Sequence, residues 1–575
     1  MKKFKQNYLT IVVATTFILS SCGGINKMKD NANNVKYSVT PSPLEMHADE
    51  VQVTIKTTFP EKYFNKKAVV VATPYLKYDG GEVELEPTTL QGESVEANNK
   101  VISYKGGDYT YTGKVPYKDA MMRSELLVKM SASIKEKTPI EISGIKIADG
   151  IIATPSLVKV DPQTIIIGDK FVRVTPESVT ADIHYVINKA DVRGAELKAA
   201  DVKGLEKAVS DIQANERKQF KGAKVSAYAS PDGDLEKINT PLSANRGISA
   251  ESYLKKMFNK AKLTEAQQQG FLTVMSTPED WEGFKKLMEE SDIQDKELVL
   301  RVLSMYSDPV VREKEIKNIS VAFKEIADKI LPKLRRSVMS LDVEVTGLTD
   351  EELKNLASSD PDSLKLEEIL YAATLVDDLN SKLALYKKAA ANFPKCFRAK
   401  NSVGVIEMKL GNLDAAKAAF EEAAALKDEN AIKNNLGAIA LVQGDVAKAE
   451  ELLTAAMGAG DQVSYNLGII KVKQGDYKAA VNYFGNKPSF NAALAQLISG
   501  DNDKALSTLN ELGDVDEAVV YYLKAIASAR GGKDEGVFNN LRTAVGKDAT
   551  LKAYAKKDIE FLKYASNEAF TGIIQ

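Results

Sequence analysis

Histidine and cysteine are almost missing from this chain. Each occurs twice in 575 residues, at His47 and His184 and at Cys22 and Cys396. A zinc centre built from these side chains needs more ligands than that, and a histidine-dependent triad is equally poorly supplied. His184 falls within an expected strand and reads as a packed or half-exposed strand residue; Cys396 reads as a small buried residue on a helix. Charge of one sign is lacking too. Against 79 acidic residues stand 77 basic ones, a net charge of −2, which offers no basic face to nucleic acid. Apart from Tyr8–Leu19 there is no long apolar run, so nothing reaches the roughly 20 residues of a membrane span. No spacing among the acidic residues singles out a catalytic carboxylate pair. The expectation is therefore a protein that is not an enzyme and carries neither metal nor cofactor. What is present, 44% hydrophobic and 27% charged residues, suits three or four globular domains.

The chain begins with a basic head, Met1-Lys-Lys-Phe-Lys, then the short apolar core Tyr8–Leu19, then Leu19-Ser-Ser-Cys22-Gly. That order is the pattern of a secretory signal. The Leu-Ser-Ser-Cys ending resembles a bacterial lipobox, which implies that residues 1–21 are removed and Cys22 is acylated. More than one acyl chain anchors a protein firmly, and with Cys22 acylated, Cys396 has no partner for an internal disulfide. Residues 22–35 are small and polar and read as a tether. No acidic run follows Cys22 of the sort that sends such lipoproteins to the cell surface, so the resemblance implies an outer-membrane anchor facing the periplasm.

From 36 to 155 the signals are those of strands. Val51, Val53 and Ile55 alternate with polar residues, as do Leu126, Val128, Met130 and Ala132, and Asp79-Gly-Gly81, Asn98-Asn99 and Gly106-Gly107 punctuate them as turns. Short strands at this spacing predict a β-sandwich of the immunoglobulin-like kind.

Residues 156–347 read as an α+β domain. A strand over Val179–Asn188 precedes an amphipathic helix carrying Val202, Leu205, Val209 and Ile212. A second strand, Lys224–Ala229, ends in the loop Ser230-Pro-Asp-Gly233, and a last strand covers Ser337–Val345. Asn239, Leu242-Ser243 and Arg246 follow the loop in the order Asn-x-x-Leu-Ser-x-x-Arg. This segment resembles the OmpA-like C-terminal domain family, in which a loop aspartate and the helix arginine hold the diaminopimelate of peptidoglycan. The resemblance implies a wall-binding role for Ser230, Asp232, Asn239 and Arg246, the arginine taking a carboxylate through paired N–H donors. Ser230-Pro231 stands where that family has Thr-Asp, and the spacing to Asn239 is shifted by one residue. A helical insertion is expected at about 261–333.

The most ordered pattern lies in 348–575. Asn401-Ser-Val-Gly404 and Gly411-Asn412 return as Asn434-Asn-Leu-Gly437 and Gly444-Asp445, then as Tyr465-Asn-Leu-Gly468 and Gly475-Asp476, and more weakly as Ala492-Ala493 and Gly500-Asp501. From Gly404 to Gly437, Gly468 and Ala493 the period runs 33, 31 and 25 residues, and Ala416, Ala449, Ala480 and Ala505 each stand 12 later. Small residues let paired helices approach, and a single pair buries too little to stand alone, so the units stack into a solenoid. These motifs resemble the tetratricopeptide repeat (TPR) family, whose arrays bind polypeptides along a concave face. By that resemblance the groove is lined by Asn401 and Met408, by Asn434, Asn435 and Leu441, and by Tyr465 and Asn466. Asparagine amides suit an extended backbone because each both donates and accepts. A competing expectation has the chain's own C-terminal helices, Val519–Ala527 and beyond, filling that face.

The whole is expected to be multidomain: β-sandwich, OmpA-like α+β domain with a helical insertion, all-α TPR solenoid. Together they resemble envelope lipoproteins of the Bacteroides-like bacteria. The function this implies is a scaffold gathering envelope proteins through its repeats. The alternative is a tether from outer membrane to peptidoglycan.

Overall fold

The computed structural model describes residues 23–135, 138–513 and 515–575; the expected signal peptide and the acylated Cys22 lie outside them. Two compact units divide the chain. One joins the chain through Ile167 to Phe393–Gln575, and the other is Gly168–Asn392.

In the first unit, the strand Glu50–Phe59 translates sequence into structure most directly. Val51, Val53, Ile55, Thr57 and Phe59 are buried while Gln52 and Lys56 are exposed, because a period of two turns one face inward. It pairs antiparallel with Lys36–Thr40, Met46–His47 and Gly107–Pro116. A second sheet orders Ile140–Asp149, Ser124–Ser133, Val69–Tyr78, Thr88–Gly92 and Lys100–Ile102, with Gly81–Glu84 also paired to Val69–Tyr78. Side chains of both sheets, among them Val53, Ile55, Val70, Leu76, Leu126 and Met130, share one apolar core.

That core also takes in the expected tether. Gly23–Asp30 is a helix, and its Ile25 and Met28 are buried in the β-rich core together with Ala32 and Val35. Composition pointed to a tether; Ile25 and Met28, three apart on one face of the helix, with Ala32 just beyond it, decide otherwise.

Phe397–Lys409 and Leu413–Leu426 open a run of helical hairpins. It continues through Asn430–Val442 with Val446–Ala455, Asp461–Lys473 with Tyr477–Phe484, Phe490–Ile498 with Asn502–Glu511, and Ala518–Arg530 with Asp534–Lys547. The expected small residues stand at the crossings. A Cβ added to Gly404 would lie 2.5 Å from the Phe420 ring, and one on Gly468 would lie 2.6 Å from Phe484. Ala416, Ala449, Ala480 and Ala505 have no exposure. At each turn a glycine with positive φ, such as Gly444 and Gly475, ends the first helix. Where an aspartate follows, it caps the second helix: Asp445 accepts from the Lys448 N–H at 3.0 Å and Asp476 from that of Ala479 at 3.1 Å. The β-rich region meets these repeats through His47, whose Nδ1 is 2.9 Å from the Tyr477 hydroxyl, and through Thr154, bonded to a Glu560 that Arg530 also grips.

In the second unit a four-stranded sheet runs Val174–His184, Arg336–Thr346, Lys218–Tyr228, Leu272–Thr277. The first two pairings are antiparallel and the last is parallel. Helices Ala200–Gln213 and Thr240–Ala261 join its core through Val202, Leu205, Val209, Ala250 and Leu254. The helical insertion starts later than 261, because Leu272–Thr277 is a strand of the sheet. As an edge strand it lacks a buried alternation: Thr273, Val274, Met275 and Ser276 are all exposed, which hides it from pattern reading. The inserted helices begin at Trp281 and have a core of their own around Phe284, Met288, Val299 and Ile326. The unit's bounds also lie later than 156 and 347. Residues 156–167 pack in the first unit, while Asp350–Asn392 belong here, tied down by Arg173–Asp350, Arg217–Glu352 and the stacking of Phe171 on Tyr371 at 4.6 Å.

Met28→Ala is expected to destabilise the first unit by about 2–4 kcal/mol, the cost of truncating a fully buried methionine. Urea unfolding followed by far-ultraviolet circular dichroism measures it, while the transition reported by Trp281, in the other unit, stays in place.

Candidate functional site

The first helices of four successive hairpins, Phe397–Lys409, Asn430–Val442, Asp461–Lys473 and Phe490–Ile498, each place one or two asparagines on a shared face, and all of these are engaged. Asn401, Asn434, Asn435, Asn466 and Asn491 have no solvent exposure. What covers them is the chain's own extended segment between Leu157 and Gly168. Three asparagines act as two-sided clamps on single residues. Asn491 accepts the Lys159 N–H at 2.9 Å and donates to the Lys159 carbonyl at 2.9 Å. Asn466 does the same to Gln163 at 2.7 and 2.8 Å, and Asn435 to Ile165 at 2.7 and 2.8 Å. Asn434 adds a bond to the Gln163 carbonyl and Asn401 one to the Ile165 carbonyl, each 3.0 Å.

Two features of the amide make this work. It carries a donor and an acceptor side by side, matching the N–H and C=O of one extended residue. Alternate residues of an extended chain present those groups to the same side, so Lys159, Gln163 and Ile165 all face the clamps. The amides also bond one another: Asn466 to Asn434 at 3.0 Å, Asn434 to Asn435 at 3.1 Å and Asn435 to Asn401 at 2.8 Å. A buried polar chain of this kind is stabilising only when fully satisfied.

Side chains of the segment are engaged as well. The Asp161 carboxylate accepts from the Tyr465 hydroxyl at 2.8 Å and from Asn491 at 3.0 Å. Lys159 pairs with Glu517 and stands 4.5 Å above the Phe490 ring. Ile165 packs against the apolar cluster that includes Leu441, Val463 and Leu467, and Ile167 against the one formed by Val405, Phe420, Ile432 and Ile439. A hollow of about 630 Å³ opens beside the segment, bordered by Val160, Pro162, Thr164, Met408, Leu413 and Val442.

The groove residues expected from sequence are thus brought together, on an occupant that was not expected. The C-terminal helices do not fill the face. Asn491, which heads the weakest repeat, went unrecognised, as did the segment itself. The signal for Asn491 was its place two residues before Ala493, as Asn435 and Asn466 stand two residues before Gly437 and Gly468.

The four residues of the expected wall-binding site, in the second unit, are arranged differently. Arg246 is buried without exposure, and its guanidinium donates to the carbonyls of Lys189 at 3.1 Å, Tyr228 at 2.8 Å and Val186 at 3.4 Å. It lies 5.1 Å from the Tyr185 ring, and burial pulls its pKa down to about 10. Among the described residues no carboxylate hydrogen-bonds to it. Asp232 instead accepts from Arg335 at 3.1 Å and from the Ser230 hydroxyl, and Arg335 also reaches Ser230 at 3.2 Å. Asn239 is buried and closes the loop on the Gly233 carbonyl at 2.9 Å. The sequence reading missed Arg335, the ion-pair partner of Asp232.

The tetratricopeptide repeat family model matches residues 383–431 and 404–464. The helices within residues 383–464 thus match tetratricopeptide repeats. Similar solved structures include YrrB, described as a TPR protein with an unusual peptide-binding site, at 21% identity over 30% of this chain and 97% of that one, TM-score 0.25. A tetratricopeptide repeat protein from Parabacteroides merdae shares 14% identity over 44% of this chain and 98% of that one, TM-score 0.28. PilF of Pseudomonas aeruginosa shares 16% over 38% and 99%, TM-score 0.27. No curated protein matches the chain.

Asn435→Ala removes two groove bonds to Ile165 and two to neighbouring asparagines. The expected loss is about 1–3 kcal/mol for the polar groups left unpaired, read as an earlier urea transition by circular dichroism with the Trp281 signal unmoved.

Proposed function

We propose that this protein is a non-enzymatic scaffold of the cell envelope that gathers protein partners through its TPR array. The asparagine ladder carries the reading: it is a surface built to hold a polypeptide by its backbone, and it holds one here. The lipobox-like Leu19-Ser-Ser-Cys22 supports an acyl anchor in the outer membrane, and the lack of an acidic run after it favours the periplasmic side. The resemblance to envelope lipoproteins of the Bacteroides-like bacteria, carried by the OmpA-like pattern and the repeats together, points the same way.

The tether reading has the Asn239–Arg246 pattern in its favour. Against it, Arg246 would have to leave three carbonyls before meeting a ligand carboxylate, and Asp232 would have to leave Arg335. The geometry therefore favours the scaffold.

Cross-linking of intact envelopes, followed by purification of the protein and co-sedimentation with purified peptidoglycan, separates the two. The scaffold reading expects cross-links from lysines on the repeats, such as Lys409 and Lys473, to a defined set of envelope proteins, and no pelleting with the wall polymer. A protein that cross-links only to itself and pellets with peptidoglycan would hand the function to the second unit.

A further inference from the structure

The segment in the groove is an unusual piece of backbone. Its inward N–H and C=O groups are bound only by side chains. Its outward N–H groups, at Val160, Thr164 and Ile166, have no hydrogen-bond partner among the described residues, and Pro162 has no N–H to offer. One flank borders the hollow of about 630 Å³ rather than packed protein. It is therefore gripped along one edge, by groups that recognise any extended chain, and left open along the other.

We infer that the groove is a peptide site occupied by the chain's own residues Lys159–Ile165, and that an extended chain with lysine, aspartate and isoleucine at the same spacing displaces them. The resident segment spells out the chemistry of that partner. Backbone clamps at three residues supply affinity without regard to sequence. A carboxylate two residues after a lysine meets Tyr465 and Asn491, the lysine meets Glu517 and the face of Phe490, and a β-branched residue four beyond the acid seats among Leu441, Val463 and Leu467. Because the resident is covalently tethered, it competes at an effective concentration on the order of millimolar. The groove is thereby closed to weak or stray peptides and yields only to a ligand presented at high local concentration or held by further contacts.

This deepens the scaffold reading and rests on it. The test uses the protein spanning residues 23–575 and a fluorescent peptide of the sequence Leu157–Gly168, with binding followed by anisotropy. Asp161→Ala with Ile165→Ala in the protein loosens the resident without touching the repeats, and is expected to tighten peptide binding roughly tenfold or more over wild type. Adding Asn435→Ala and Asn466→Ala to that variant abolishes the gain. Equal binding by wild type and the loosened variant, or none by either, overturns the inference. Should the loosened variant fail to fold, wild type with a photo-cross-linking version of the peptide decides: slow labelling of helices Phe397–Lys409, Asn430–Val442 and Asp461–Lys473 is expected, and no labelling at millimolar peptide refutes exchange. If envelope proteins cross-link to the repeats while the peptide never enters, exchange falls and the scaffold stands. If the peptide enters but no envelope protein cross-links, the scaffold reading is the one that fails.

Discussion

One extended chain against a ladder of asparagine amides organises the first unit. A buried primary amide is costly unless both its donors and its acceptor are used, and here five of them sit fully buried within one solenoid. They are tolerable together because each satisfies a backbone residue and several satisfy one another. Without the segment 157–168 the same five side chains would face water or one another across an open groove. The segment also links the β-rich region to the second unit in the chain, so the groove holds the connection as well as the ligand-like strand.

The rest of the unit serves that geometry. Glycine at the helix crossings lets each pair close to the distance at which Phe420, Leu453 and Phe484 touch the neighbouring backbone. This fixes the rise from one asparagine to the next. The Gly-Asp turns set the length of each first helix, and with it which residue points inward. The contacts of His47 with Tyr477 and of Thr154 and Arg530 with Glu560 secure the β-rich region close to where the segment enters the groove.

Much of this was legible in the sequence. The repeat period, the crossing glycines and alanines, the capping aspartates and the asparagine positions are local signals, and local signals survive without an alignment. The occupant was not legible. Lys159–Ile165 alternates in no way that differs from a strand or a linker, and its bonding partners lie hundreds of residues away. The tether failed for a related reason: polar composition outvoted two apolar residues, Ile25 and Met28, on one helical face. Arg246 was placed correctly on its helix, but whether an arginine meets a ligand or its own backbone carbonyls depends on the loop around Lys189. Nothing near Arg246 in sequence reports that loop.

Asparagine clamps hold the backbone of Lys159, Gln163 and Ile165, and amide hydrogen exchange resolved to single residues tests that directly. The wild-type protein is predicted to protect the amides of Lys159, Gln163 and Ile165 while those of Val160, Thr164 and Ile166 exchange freely. Exchange that is uniformly fast along the segment would mean the chain does not sit in the groove. Uniform protection would mean that something other than the asparagine ladder holds it.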